Sequence, residues 1–311
     1  MSGDGRGADE DMATVPGGGP MRDAFGAGTV MAQAVRAARD LVACVEAHPA
    51  LFSSDALDAT TCNALACANA FAAAGVDAPG MRILNRTALW LFGLDWRVDH
   101  KAAAREEIED INRRVLAVLD GADPAPGDEL TPFLAEIRDE LAASPAFPAL
   151  RAAWREDLVR VLEAGLREWE WKTAAASGDR DRLPSLDGYL ANADNIGSAW
   201  VNLSHWIALA DPATIANLEP LREVSREVQK ALRLLNDLAT YERDLAWGDL
   251  NAIMLDTDRA GVSARIDEII RYCRRLLGPL RDPCPDGTAY LERQLGFNIA
   301  FYGVSDYWGS P

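Results

Sequence analysis

The sequence predicts an all-α protein, and two features of the chain carry that prediction. From Thr29 almost to the C-terminus, stretches rich in Ala, Leu and Arg place apolar residues at the 3.6-residue spacing of amphipathic helices. Short turns that contain Gly, Pro or Asp separate these stretches, and no long segment alternates apolar and polar residues as a strand does. The turns divide the chain into roughly ten to twelve helices. Because no internal repeat is evident, we expect one helical domain.

Residues 1–28 differ from the rest of the chain because they are rich in Gly and Asp and poor in branched apolar residues. A segment of this composition buries too little apolar surface to offset the entropy lost on ordering. We therefore predict a disordered tail at residues 1–28 and a single all-α domain at residues 29–311. That length is ample for one large domain with a substantial core.

Charge and cysteine content argue against several functional classes. A formal net charge of −17 argues against a nucleic-acid partner, because the phosphate backbone attracts basic surfaces. No apolar run reaches the roughly 18 residues of a membrane span, and the N-terminus lacks a signal-peptide profile. The five cysteines include no C-x-x-C pair, and none stands at zinc-ligand spacing from the three histidines. We expect a cytoplasmic protein with reduced thiols and no membrane partner.

Two carboxylates lie at the end of a strongly apolar helix. Residues 89–100 read LWLFGLDWRVDH, and the four-residue spacing of Asp95 and Asp99 puts both side chains on one helical face. Two buried carboxylates side by side are costly unless they share a cation or one of them has a raised pKa. The alternative is that this helix end reaches water, where Arg97 and Lys101 are solvated partners of Asp95.

A glycine interrupts the next segment of interest. Residues 189–200 read YLANADNIGSAW, and Gly197 stands within an otherwise helical pattern. Glycine costs about 1 kcal/mol relative to alanine inside a helix. A kink, a helix break or the close approach of a ligand is the expected reason for its presence.

Three oxygen-bearing side chains recur at four-residue intervals further along the chain. Asn236, Thr240 and Asp244 share one helical face, because each step of four residues rotates the side chain by only about 40°. Such oxygen donors suit a hard cation such as Mg²⁺. Arg233, one turn earlier on the same face, offers two parallel hydrogen bonds to a phosphate.

A solvent-exposed polar face is the alternative interpretation of this helix. Leucines at positions 232, 234, 235 and 238 flank the polar face, which predicts a helix buried on most sides. Polar groups in a mostly buried helix need partners. This requirement favours the metal hypothesis.

Both polar segments resemble motifs of class I terpene synthases. The string NDLATYERD, residues 236–244, resembles their second metal-binding motif, N/D-D-x-x-S/T-x-x-x-D/E, and Arg233 matches the arginine that often precedes it. DWRVD, residues 95–99, resembles the aspartate-rich motif DDxxD with Trp96 in the second position, and it precedes the second motif by roughly 140 residues, as in that family. The resemblance covers residues 60–308. It implies the isoprenoid synthase fold, a helical bundle around a central apolar cavity.

The resemblance also implies roles for individual residues. A cluster of about three Mg²⁺ ions, bound together with a diphosphate, is expected between the two motifs. The implied metal ligands are Asp95, Asp99, Asn236, Thr240 and Asp244. Of these residues, Asp95, Asn236 and Asp244 are also expected to be catalytic. Arg233 and Arg243 are expected to stabilise the departing diphosphate.

Two weaker segments extend the resemblance. Tyr-Leu-x-Asn, at residues 189–192, is similar to plant terpene synthases and bacterial ent-kaurene synthases. There Asn192 is expected either to orient the diphosphate or a water, or to satisfy local backbone. A break at Gly197 would aim backbone groups into the cavity. Near the C-terminus, Tyr302 and Tyr307 are expected to close over the diphosphate, with an interface role as the alternative.

Aromatic rings are expected to wall the cavity, because their π faces attract carbocations. The candidates include Phe92, Trp96 and Trp200. The implied reaction is ionisation of an allylic diphosphate, followed by cyclisation and deprotonation of the carbocation. No D-x-D-D string occurs, which disfavours protonation-initiated class II chemistry. A chain-elongating prenyltransferase would carry two complete DDxxD motifs.

The favoured substrate is a prenyl or labdane-type diphosphate, the latter supplied by a separate class II diterpene cyclase. Such an enzyme would be a diterpene synthase, and a homodimer is a further expectation. One alternative is a mono- or sesquiterpene synthase that acts on geranyl or farnesyl diphosphate. Another is a non-catalytic helical protein whose polar faces serve subunit contacts.

Overall fold

The computed structural model describes residues 20–52 and 57–308, and its regular structure in these ranges is entirely helical. The all-α prediction is confirmed. The described residues form twelve α-helices. In chain order these are α1 (Pro20–Ala47), α2 (Ala59–Ala72), α3 (Arg82–His100), α4 (Arg105–Leu119), α5 (Thr131–Leu141), α6 (Phe147–Ser177), α7 (Leu186–Ala191), α8 (Ser198–Leu209), α9 (Pro212–Ala216), α10 (Leu218–Trp247), α11 (Arg259–Leu277) and α12 (Pro285–Tyr302).

Helix α1 begins before the predicted domain boundary. It starts at Pro20, so residues 20–28, which were assigned to the tail, form its first turns. Proline is well suited to this position because its fixed φ matches the helix and its missing N–H has no partner there anyway. The side chains of residues 22–28 are exposed, which explains why their composition gives no sign of a buried helix. Residues 1–19 of the predicted tail lie outside the described residues.

The helices pack into one bundle in which α10 is central. Helix α10 contacts α8, α11 and α12, while α3 contacts α5, α6 and α8, and α2 packs on both α1 and α12. In the described part of the chain, no helix combines the length and apolar character that a membrane span requires.

Three tryptophans pack against one another within the hydrophobic core of the bundle. Trp200 is completely buried, and its ring lies 5.4 Å from that of Trp90 and 5.5 Å from that of Trp154, measured between centroids. The indole N–H of Trp90 donates to the Leu130 carbonyl, and that of Trp154 donates to the Ser204 hydroxyl. Large buried rings of this kind contribute much of the apolar area that stabilises a bundle.

Of the three explanations that the sequence leaves open for Gly197, the structure shows a helix break. A short 3₁₀ segment, Ala193–Ile196, ends there, and α8 begins at Ser198. Gly197 has a φ of +70°, and a Cβ atom at this position would lie 2.4 Å from Leu91 Cδ1. Both the left-handed backbone and the tight contact therefore select glycine.

The substitution Gly197→Ala tests this account of the break. We expect the free energy of unfolding to fall by about 1 to 3 kcal/mol, because the left-handed conformation and the contact with Leu91 both penalise a methyl group. Equilibrium urea unfolding measures the change.

Gly165→Ala is the matched control. Gly165 lies within α6, and a Cβ there would have no atom within 4 Å. We expect this variant to be neutral or more stable by about 0.5 to 1 kcal/mol. Equal effects of the two substitutions would contradict the account.

Candidate active site

A cavity of about 250 Å³ opens among α2, α3, α6, α8, α10 and α12. Apolar side chains that line it include Leu65, Ala88, Leu91, Val201 and Leu232. Carboxylates gather where α3 and α10 end, since Asp95, Asp99, Asp244 and Asp249 line the same cavity. The cavity therefore combines an apolar wall with a strongly acidic end.

The two motifs of the sequence meet across this cavity. Asp95 and Asp99 face it from α3, and Asn236 and Asp244 face it from α10. The helix period explains this arrangement, because residues four apart in one helix share a face. The packing of α3 and α10 around one space brings the two faces together.

A layer of hydrogen bonds orients Asp244. Its Oδ2 accepts hydrogen bonds from the Thr240 hydroxyl (2.6 Å) and from Asn251 Nδ2 (2.9 Å). Thr240 is buried and does not line the cavity, so the structure places it behind Asp244. Asn251 reaches Asp244 because α10 ends at Gly248, whose φ of +77° turns the chain back. One oxygen of the carboxylate is thus held from behind.

Arg233 lines the cavity as predicted, and it is rigidly held. Its guanidinium donates to Glu168 Oε1 (2.6 Å), to Asn195 Oδ1 (2.6 Å) and to the Asn192 carbonyl (3.1 Å). Its flat face lies 3.5 Å from the centre of the Tyr189 ring. Burial raises the pKa of Glu168, and the charge of Arg233 opposes that shift. These contacts orient Arg233 before any ligand arrives.

Arg243 fastens the C-terminal segment to the cavity. It lines the cavity, forms an ion pair with Asp306 and lies 5.2 Å from the centre of the Trp247 ring. Tyr302 and Tyr307 line the same cavity, and the Tyr307 hydroxyl donates to Asn298 Oδ1 at 3.1 Å. The structure therefore places the segment around residue 307 against the site.

Phe92 is an aromatic residue that the structure places on the cavity wall. It lies one turn before Asp95 on α3, and its ring meets that of Tyr307 edge to face at 5.9 Å. Trp96 does not line the cavity and lies against His100 and Trp308. Both of these neighbours line the cavity, so Trp96 lies directly behind its wall and its contribution to the wall stays a prediction.

Trp200 and Asn192 are also absent from the cavity wall. Trp200 lies within the tryptophan core, because Ser198 and Val201 take the inward positions of α8. Asn192 is 1% exposed, donates to the Ala164 carbonyl and accepts from Arg167. Its amide satisfies neighbouring groups, which is the alternative that the sequence left open. Its carbonyl still positions Arg233.

Gly197 contributes to the cavity through its neighbours. The glycine itself is not on the wall, but Ile196 and Ser198 on either side of the break are. The break thus turns the chain so that both flanking residues face inward.

Several charged residues of the site were not predicted from the sequence. Lys172 of α6 lies 2.9 Å from Asp99 Oδ1 and 2.5 Å from Asp249 Oδ1. Glu168, one turn earlier in α6, pairs with Arg233. The only local signal is a lysine and a glutamate in a helix already rich in tryptophan, in a chain with three lysines in total. Their role depends on contacts between distant helices.

Burial dominates the electrostatics of the acidic residues. Asp95 remains exposed inside the cavity, but enclosure by the cavity walls raises its pKa well above the ordinary value, and the neighbouring Asp99 carboxylate adds to that shift. Burial also raises the pKa of Asp244, although hydrogen bonds from Thr240 and Asn251 oppose it. Asp237, beside Asn236, has its pKa raised to about 7 by burial, against the charge of Arg233. Six acidic side chains line the cavity, whereas Lys172, Arg233 and Arg243 are the cations beside them, so the site carries more acid than these cations neutralise.

This donor set fits a hard divalent cation. Carboxylate and amide oxygens are the ligands that Mg²⁺ prefers, and it usually keeps waters or phosphate oxygens in its shell. Within residues 20–52 and 57–308, no three acidic, histidine or cysteine side chains converge closely enough to hold an ion alone. Waters or substrate oxygens would therefore complete the coordination shell of an ion held by ligands from the two helices.

Comparison with known families identifies the class of protein. The family model described as terpene synthase family 2, C-terminal metal binding, matches residues 86–275, which is more than half of the chain and includes both motifs. The chain therefore belongs to this family. It is a metal-binding class I terpene synthase, an enzyme that acts on prenyl diphosphates.

Two relatives of known activity are similar in sequence. The ent-pimara-9(11),15-diene synthase of Streptomyces sp. (strain KO-3988) is 29% identical over 222 residues, covering 70% of this chain and 74% of the relative. A chloroplastic ent-beyerene synthase of Oryza sativa subsp. japonica is 24% identical over 176 residues, covering 51% of this chain and 20% of the relative. The chain thus aligns with a minor part of the plant protein.

Solved structures support the isoprenoid synthase fold. Linalool/nerolidol synthase from Streptomyces clavuligerus, in complex with 2-fluorogeranyl diphosphate, superposes with a TM-score of 0.66 at 14% identity, over 87% of this chain and 97% of that one. 2-Methylisoborneol synthase from Streptomyces coelicolor A3(2), with Mg²⁺ and 2-fluoroneryl diphosphate, gives a TM-score of 0.60 at 15% identity, over 95% of each chain. At these identities the likeness establishes the fold alone.

The raised pKa of Asp237 predicts how stability depends on pH. Its pKa of about 7 in the folded protein exceeds the ordinary value of 3.8. The unfolded chain therefore releases the proton first as pH rises, and folding loses up to about 1.4 kcal/mol per pH unit between those two values. Urea unfolding of the metal-free protein in EDTA at pH 5 and pH 7 measures this loss.

Asp237→Asn should reduce the slope of that pH dependence, because the variant has no proton to release at this position, and the part due to Asp95, Glu168 and Asp244 should remain. A control substitution of the exposed Asp267 to Asn should keep the wild-type slope. A slope unchanged by Asp237→Asn would assign the pH dependence to other groups.

Proposed function

We propose that this enzyme is a diterpene synthase that ionises an allylic diphosphate with Mg²⁺ and guides cyclisation and deprotonation of the carbocation. The observation that carries the proposal is that Asp95 and Asp99 of α3 face the same cavity as Asn236 and Asp244 of α10. Oxygen donors on opposite walls suit cations that also bind a diphosphate between them. Identity of 29% with an ent-pimaradiene synthase supports a diterpene substrate.

The proposed metal ligands are Asp95, Asp99, Asn236 and Asp244. Thr240, which the motif also marks as a ligand, is proposed instead to orient Asp244, because its hydroxyl donates to that carboxylate. When bound, a cluster of about three Mg²⁺ ions neutralises the leaving diphosphate. The buried hydrogen bonds from Thr240 and Asn251 fix the direction in which Asp244 offers its remaining oxygen. Fixed donors of this kind need little reorganisation during the reaction.

Arginines are proposed to contact the diphosphate from the protein side. Arg233 lines the cavity and is already oriented by Glu168 and Asn195, so little conformational entropy is lost when it binds an anion. Arg243 lines the cavity beside Asp244 and would exchange part of its contact with Asp306 for the diphosphate. Guanidinium groups suit phosphate oxygens because they donate two parallel hydrogen bonds.

The remainder of the cavity is proposed to shelter the carbocation. Phe92, Tyr302 and Tyr307 supply ring faces, and aliphatic residues such as Leu91 and Leu232 exclude water. Tyr302 is suited to this role because burial raises the pKa of its hydroxyl, which therefore stays neutral. A dry wall prevents premature capture of the cation.

For the substrate, we favour a labdane-type diphosphate made by a separate class II cyclase. The ent-pimaradiene and ent-beyerene synthases are named for cyclic diterpenes, the kind of product expected from a labdane-type diphosphate. The chain has no D-x-D-D motif with which to make such a diphosphate itself. A cytoplasmic location fits the five cysteines, all of which are free thiols. Assembly as a homodimer remains part of the proposal.

A second candidate function is a mono- or sesquiterpene synthase. The observation that favours it is the similarity in fold to enzymes solved with 2-fluorogeranyl and 2-fluoroneryl diphosphate. Geranyl and farnesyl diphosphate are the corresponding substrates to test.

Removal of a metal ligand should abolish most activity. We expect Asn236→Ala and Asp244→Ala each to lower diphosphate release on the order of 100-fold or more, because the leaving group loses its electrophilic stabilisation. EDTA should have the same effect on the wild-type enzyme. Asp267→Ala, an exposed carboxylate on α11, is the matched control and should retain full activity. Full turnover by Asp244→Ala would refute the metal assignment.

Product analysis tests the substrate class. The enzyme is incubated with Mg²⁺ and geranylgeranyl diphosphate, with and without a class II diterpene cyclase, and the extracts are analysed by gas chromatography and mass spectrometry. We expect cyclic diterpenes that depend on the class II cyclase. Turnover confined to geranyl or farnesyl diphosphate would instead establish the second candidate function.

A further inference from the structure

Lys172 occupies an unusual position at the acidic end of the cavity. Its ammonium nitrogen lies 2.9 Å from Asp99 Oδ1 at the end of α3 and 2.5 Å from Asp249 Oδ1, just after α10. The side chain is only 13% exposed, so both contacts are largely shielded from water. One lysine from α6 thus joins the ends of the two helices that carry the metal motifs.

Lys172 is the cation that neutralises these two carboxylates. Within the described part of the chain, Asp99 and Asp249 form ion pairs with Lys172 alone, and Asp95 forms none. His100 lies nearby, but its ring packs against Trp96 and Trp247, and among the described residues it forms no ion pair with either carboxylate. Removal of the ammonium would leave adjacent carboxylates without a counter-charge, a costly arrangement in a shielded site.

The ion pair also bears on the difference between the first motif, DWRVD, and the pattern DDxxD. Its middle carboxylate is replaced by Trp96, whose ring lies against His100 and Trp308. Helix α3 therefore offers two carboxylates to the cavity, and one of them, Asp99, already has an ammonium at hydrogen-bond distance. Asp95 is left as the α3 carboxylate with no cation of its own.

We propose that Lys172 is a positioning residue that substitutes for a divalent cation in this synthase. Its ammonium contacts one oxygen each of Asp99 and Asp249 and holds the end of α3 against the segment after α10, which leaves Asp95 and the other oxygen of Asp99 to bind Mg²⁺. The inference rests on the proposed Mg²⁺-dependent function and adds a fixed positive charge of the protein to the proposed metal site. Lys172 belongs to the protein chain, so its positive charge is present in the site before substrate and metal ions bind. Its ion pairs also fix the distance between the two motifs at that stage.

Metal binding without substrate gives the most direct test. Mn²⁺ serves as a paramagnetic probe for the Mg²⁺ sites, and electron paramagnetic resonance measures its dissociation constant in the absence of any diphosphate. For Lys172→Gln we expect Mn²⁺ to bind about three- to tenfold more tightly, because a positive charge has been removed beside two carboxylates. We expect kcat of the same variant to fall at least about tenfold, because the two motifs lose their fixed spacing.

Three further variants separate charge from structure. Lys172→Arg keeps the charge and should bind Mn²⁺ with an affinity within about twofold of wild type. The double variant Lys172→Gln/Asp249→Asn removes one charge of each sign, so its affinity should return toward wild type. Lys230→Gln, which removes a lysine paired with Glu227 elsewhere on α10, should change neither Mn²⁺ affinity nor kcat.

The possible outcomes each decide the inference. Unchanged or weaker Mn²⁺ binding by a folded Lys172→Gln variant would overturn it and would leave the proposed function intact. Loss of inorganic pyrophosphate binding with Mn²⁺ affinity unchanged would also overturn it, because Lys172 would then contact the diphosphate itself. A wild-type protein that neither binds Mn²⁺ nor releases diphosphate would refute the proposed function together with the inference.

Discussion

Negative charge concentrated in one cavity at the ends of α3 and α10 is the constraint to which the rest of the site is adapted. The pKa of the buried Asp244 and that of Asp95, which lies exposed inside the cavity, are both raised, because a carboxylate that loses hydrating water needs a cation or a proton. The metal ions of this family and the ammonium of Lys172 meet the same need. A terpene synthase exploits this arrangement, since cations gathered by the protein then act on the substrate diphosphate.

Neighbouring residues fix the positions of these charged side chains. Asn251 reaches Asp244 only because Gly248 ends α10 in a left-handed turn, which also delivers Asp249 to Lys172. On the opposite side, Glu168 fixes the guanidinium of Arg233. Side chains held in this way keep their positions while a reacting carbocation changes shape, which is the physical basis of preorganised catalysis.

The candidate site was predictable wherever it depended on one helix. The four-residue spacing of Asn236, Thr240 and Asp244, and of Asp95 and Asp99, needs only the helical period. The structure presents four of these residues to one cavity, while Thr240 donates to Asp244 from behind. Predictions about the cavity wall were less successful, because aromatic character does not specify direction. Phe92 lies on the wall, whereas Trp200 belongs to the core. Hydrophobic rings serve both environments equally well.

The sequence alone determined the all-α class, the family-specific motifs and the residues that share each helical face, because these properties follow from local periodicity and residue chemistry. Only the tertiary structure decided which faces meet. The partnership of Lys172 with Asp99 and Asp249, and that of Glu168 with Arg233, join residues far apart in the chain. Such contacts depend on how helices cross and how turns end them, and ridge-and-groove packing sets those angles collectively rather than residue by residue.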